Sequence, residues 1–187
     1  QEITYHSEVE CGYVLMYELF LRVRRNIPST YDMKKRLVQL YKPLMENHGI
    51  KVLDILSKQN NKRIMIEEVI NNQVSLETLV MSEQYYLTDL DVWLLCDFYK
   101  LPVLLISDSS LESLGMNVPW LVLGGNKDTD VYYCVRNENQ EELPGYRLIN
   151  FGLGLGKMDN FRTLLDDPEY AGHALTIDSY LETYSVM

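Results

Sequence analysis

A chain of 187 residues, 47% hydrophobic and 24% charged, is long enough to bury one core and too apolar to stay disordered. Its formal net charge of −10 argues against a nucleic acid and against an anionic membrane surface, since both select basic faces. A protein partner suits it better.

Three scattered cysteines, Cys11, Cys96 and Cys134, are too few for a disulfide framework and point to a reducing, intracellular compartment, most simply the cytoplasm. No apolar run approaches the roughly 20 residues needed to cross a bilayer. The chain opens at Gln1 without a signal peptide, so it is read as a piece cut from a larger polypeptide.

Residues 11–25 place Val14, Leu15, Leu19 and Val23 at helical spacing and end in Arg22, Arg24 and Arg25, cations suited to a helix C-terminus. After Pro28 a second helix is predicted over 31–47, with Met33, Leu37, Leu40, Tyr41 and Leu44 on one face and Pro43 as an early stop. Asn47, His48 and Gly49 read as a break, and 50–56 as a further amphipathic stretch. The polar segment 59–73 has no clear period. Residues 85–99 form the most legible helix: Thr88 followed by Asp91 reads as an N-cap with an acidic first turn, and Trp93 should face the core.

Leu101 and Pro102 close that helix, and Val103 to Ile106 is an apolar run that reads as a buried strand. Further strands are predicted over 120–123, 131–136 and 146–149, with a hairpin-type turn cluster from Gly124 to Asp128 between the first two. The expected architecture is α/β (α+β): a small mixed or antiparallel sheet flanked by helices over residues 1–150. Residues 151–187 read as an acidic, glycine-hinged C-terminal appendage that packs across the domain or binds a partner.

Familiar motifs fail on spacing. Gly152 to Lys157 has neither the phosphate-loop nor the dinucleotide-loop pattern and reads as a linker. Asp128 and Asp130 lack the Glu of a calcium loop and read as turn residues. His6, His48 and His173 show no metal-ligand spacing with the cysteines, so neither metal nor cofactor is expected. Cys11 is different. It stands where an acidic lead-in gives way to a helical face, and a thiol at a helix N-terminus has its thiolate stabilised by the helix dipole. The plain alternative is a small residue packed at a helix start.

Glu8-Val9-Glu10-Cys11 opens the first helix, and Asp32-Met33-Lys34-Lys35-Arg36-Leu37-Val38 lies in the second. The run Tyr85-Tyr86-Leu87-Thr88-Asp89-Leu90-Asp91-Val92-Trp93-Leu94-Leu95 then leads to Leu101-Pro102-Val103-Leu104-Leu105-Ile106, and Val131-Tyr132-Tyr133-Cys134-Val135 follows. That order resembles the OTU (ovarian tumour) family of papain-like cysteine deubiquitinases, over roughly residues 8–136. The resemblance implies a papain/OTU-like fold, Cys11 as nucleophile, ubiquitin or a ubiquitin-like modifier as partner, and a divergent large-DNA-virus version of the domain inside a host cell.

Two departures weigh against catalysis. The family's glycine before the cysteine is absent, and Val131 and Tyr132 stand where its catalytic His belongs. Two functions follow: a degenerate, non-catalytic OTU-like protein-interaction module, or an OTU-type cysteine deubiquitinase acting through Cys11 with a base drawn from His6 or His173.

Overall fold

The structure, a computed structural model, describes residues 3–4, 10–106, 120–123, 133–138, 143–149 and 176–186. They form a mixed α+β fold, with helices on a small sheet. His6, Asp128, Asp130, Val131, Tyr132, His173, the turn cluster 124–128 and the glycine-spaced stretch 152–157 lie outside the described residues.

Helix α1 (Cys11–Arg22) buries Leu15, Met16, Leu19 and Phe20 and ends where Arg24 turns left-handed, at φ 55°. Helix α2 (Thr30–Lys58) starts on Ser29, whose hydroxyl accepts the Asp32 N–H at 3.1 Å. The predicted stop at Pro43 does not occur: the helix runs through it and kinks at His48 (φ −140°, ψ 33°), joining the two stretches read as separate. Pro43 and Gln39 are both exposed, on a side of the helix where solvent can replace the hydrogen bond that proline cannot donate to the Gln39 carbonyl.

The segment 59–73 contains α3 (Arg63–Ile70), and α4 (Leu76–Met81) follows. Asn60, Asn61 and Asn72 take left-handed φ values of 48°, 57° and 57°, which asparagine tolerates and which turn the chain tightly between short helices. Helix α5 (Asp89–Tyr99) starts later than expected, at the cap read from Thr88 and Asp91: the Asp91 carboxylate accepts the Thr88 N–H at 2.8 Å. Trp93 is buried in the core, as expected.

The sheet comprises β1 (Ile3–Thr4), β2 (Val103–Ile106), β3 (Trp120–Leu123), β4 (Tyr133–Asn137) and β5 (Tyr146–Ile149), in the order β1-β5-β4-β2-β3. The β2–β4 pair is parallel and the others antiparallel. The expected hairpin between β3 and β4 is therefore wrong: β2 lies between them. Val103, Leu104 and Leu105 are all buried, so β2 is covered on both faces, which is what an uninterrupted apolar run demands of a central strand.

Of the segment 151–187, the described part packs back across the helices. Helix α6 (Ile177–Thr183) is capped by Thr176 and lies against α2, and Tyr180, Leu181 and Tyr184 are buried in the core. No helix among the described residues is long and apolar enough to cross a membrane.

Candidate functional site at the start of helix α1

Cys11 is the first residue of α1, and its N-cap, Glu10, makes no side-chain cap. The first-turn amides thus keep their partial positive charge beside the sulfur. Gly12 lets this turn press onto the segment before α5. A Cβ there would stand 2.5 Å from the Leu87 Cβ, an atom fixed close to the backbone. Gly12→Ala should cost about 1–3 kcal/mol by overpacking. The check is a urea melt, and an unchanged midpoint would mean that α1 does not meet Leu87 this way.

Cys11 is 3% exposed, and its sulfur accepts the backbone N–H of Tyr146, from the start of β5, at 3.3 Å. From there a row of buried polar groups runs away from the thiol. The Tyr146 hydroxyl donates to Asp89 Oδ1 at 2.8 Å, and the Asn137 amide donates to the same oxygen at 3.1 Å. Asn137 also donates to Asn60 Oδ1 at 3.2 Å and accepts the Gly145 N–H at 3.2 Å. Burial pushes the Tyr146 phenol well above its ordinary pKa, and the Asp89 carboxylate adds to that. Tyr146 is therefore a fixed neutral donor and no general base.

A second cluster lies behind the first. Asp91 Oδ1 accepts the hydroxyls of Tyr41 (2.5 Å) and Tyr85 (2.7 Å), and Oδ2 accepts the Lys62 ammonium at 2.6 Å as well as the Thr88 N–H. Lys62 and Asp91 are both fully buried. The ammonium also donates to Thr88 Oγ1 at 3.0 Å and sits 4.0 Å from the Tyr85 ring centroid. Burial lowers the Lys62 pKa, and Asp91 opposes that shift. Every strong hydrogen-bonding group here has a partner, which marks a structural cluster rather than a reactive one.

Beside the first turn of α1 opens a cleft of about 580 Å³ lined by Glu10, Tyr13, Tyr17, Lys34 and Glu83, among others. Cys11 does not line it. Lys34 donates to the Ser82 carbonyl at 2.8 Å, and Tyr17 shares a 2.7 Å hydrogen bond with Thr30. The Tyr13 hydroxyl is buried without a hydrogen-bond partner among the described residues, and burial raises its pKa far above the ordinary tyrosine value.

His48 is the one histidine among the described residues; it marks the α2 kink, and its side chain makes no hydrogen bond to them. No group of three or more His, Cys, Asp or Glu side chains among the described residues is arranged to hold a metal ion. No family model, curated protein or solved structure matches this chain. The geometry has to carry the functional reading.

Of the sequence-predicted site, the structure describes Cys11 alone, and it brings to that thiol Tyr146, with Asp89 and Asn137 at the far end of the tyrosine, three residues sequence reasoning missed. Asp89 had been legible only as first-turn acidity. Nothing in the spacing links residue 11 to residue 146. Lys62 lay in the polar segment with no readable period.

Proposed function

We propose that this chain is a degenerate OTU-like protein-interaction module, with Cys11 retained as a packed structural thiol. One observation carries the reading: Cys11, a buried helix-start cysteine, meets among the described residues the first residue of a strand, a tyrosine whose hydroxyl is committed to Asp89. A papain-type nucleophile needs an imidazole there to take its proton and to protonate the leaving amine. Support for the papain-like comparison comes from the helix-start cysteine against β5, with a carboxylate and an amide in the next layer. The partner is a protein, with a ubiquitin-like modifier first to test, and the mixed-charge cleft beside Glu10 is a natural contact surface.

A second reading, a cysteine deubiquitinase, is favoured by the uncapped helix start and the Tyr146 N–H aimed at the sulfur, both of which stabilise a thiolate. One experiment separates the two. The folded protein is incubated with ubiquitin carrying a C-terminal thiol-trapping electrophile, beside a Cys11→Ala control, and read by intact mass. The binding module predicts no adduct under native conditions. An adduct that disappears in the control would install the enzyme reading in its place.

A further inference from the structure

Charge is unevenly spread along this acidic chain. Residues 21–36 hold Arg22, Arg24, Arg25, Lys34, Lys35 and Arg36 against Asp32 alone, a net of +5 where the whole chain carries −10, so the remainder carries −15. Lys34 turns toward Ser82 and Glu83 in the cleft beside the first turn of α1, and the other five cations lie toward the far end of that helix. They span the end of α1, the connection and the first turns of α2, and the C-terminus of α5 packs beside them. Arg25 donates to the carbonyls of Tyr99 and Lys100, the second at 3.1 Å. The Arg36 guanidinium lies 4.2 Å from the Phe98 ring centroid. The exposed Lys100 extends the patch, with Asp97 at its edge.

Those contacts give Arg25 and Arg36 structural work, as a cap on helix carbonyls and as a stacked plate. They neutralise nothing. The ion pairs among the described residues involve Lys58, Lys62, Arg63 and Arg147, and none of the six cations of 21–36. Set among the cations are unusually exposed apolar side chains: Leu21 at 57%, Tyr31 at 59%, Ile27 at 39% and Phe98 at 39%. An exposed apolar set among predominantly positive side chains that form no ion pair among the described residues marks a contact surface.

From this we infer that the α1–α2 connection and the end of α5 form a docking surface for an acidic segment of a partner protein that also carries apolar side chains. Charge complementarity selects the sign, and the exposed apolar residues select a peptide over a bare polyanion. A nucleic acid or an anionic bilayer would bring many phosphates against a body of net −15, which the field of the whole chain opposes. The surface lies roughly 16 Å along α1 from Cys11, at the far end of a 12-residue helix. The inference takes up the binding half of the proposed function and rests on it, but it is independent of the state of the thiol.

The test is fluorescence anisotropy with a short labelled peptide alternating glutamate and leucine, run on the full chain. Saturable binding that weakens as salt rises is expected. Arg24→Glu with Lys35→Glu, both exposed, should weaken it by about tenfold or more. Lys42→Glu with Arg63→Glu changes the net charge equally on other exposed positions and should leave it in place, as should Cys11→Ala. Circular dichroism confirms that each variant is folded.

The inference is overturned by no binding, by equal loss in both double variants, or by equal binding of a glutamine-for-glutamate peptide. Tighter binding of oligothymidylate or of phosphatidylserine vesicles, or salt-sensitive self-association that R24E/K35E abolishes while peptide binding persists, would equally overturn it. A Cys11 adduct would not, because it reports on the thiol and leaves the peptide titration to stand alone.

Discussion

Asp91→Ala is expected to cost about 3–5 kcal/mol, the range for stripping one partner from a buried ion pair, and so to lower the melting temperature by roughly 6–20 °C. Asp91 is fully buried and accepts from the Lys62 ammonium, the Tyr41 and Tyr85 hydroxyls, and the N–H and hydroxyl of Thr88. Alanine leaves a buried cation and two buried phenols without their acceptor, and it removes one of the two acids from the first turn of α5. Lys62→Met should cost less, because the remaining carboxylate keeps its tyrosine and Thr88 donors and methionine refills much of the lysine volume. The order of the two losses is the discriminating quantity, read from thermal melts at neutral pH. An Asp91→Ala variant that melts like the parent would mean that the carboxylate is not the hub of this cluster.

That hub shows where sequence reading works and where it stops. Thr88 and Asp91 were legible as a cap because capping is local, needing only residues three apart. The same Asp91 also binds Lys62, 29 residues earlier, and Tyr41, 50 residues earlier, and no periodicity encodes either contact. Strand β2 was legible because burial on both faces leaves a continuous apolar run. Its parallel pairing with β4 was not, since a turn-rich interval after β3 mimics a hairpin and strand order is decided by the whole fold.

Helix α3 was hidden for another reason. Its buried residues are few, Ile66 and Val69, so its amphipathic signal is short, and the left-handed asparagines before it look like ordinary loop composition. At the candidate site the thiol could be read from its place at a helix start. Its partner among the described residues, Tyr146, reaches it through a backbone N–H, which leaves no trace in side-chain identity.

Ending the chain after residue 175 is the second large effect expected. The described part of the segment buries Tyr180, Leu181 and Tyr184. Each large apolar side chain withdrawn from water is worth about 1.5–3 kcal/mol before the entropy of ordering the strand of chain that carries it. The polar seams add direction. The Tyr184 hydroxyl donates to Asp54 at 2.6 Å, and Lys51 donates to the Leu181 and Glu182 carbonyls at 2.7 and 3.1 Å, a cation at the end of α6. Removal also uncovers Trp93, whose ring meets Tyr180 edge-on at 5.3 Å.

Much of the gross burial is offset by chain entropy, so the net loss should be on the order of 3 kcal/mol. It should appear as a lower urea midpoint with red-shifted tryptophan emission, because an indole core face becomes wet. A truncated chain that melts cooperatively at the parent midpoint would show that the helices form a complete core without α6. The segment would then be free to leave its seat, and its acidic residues would be available to a partner rather than to the fold.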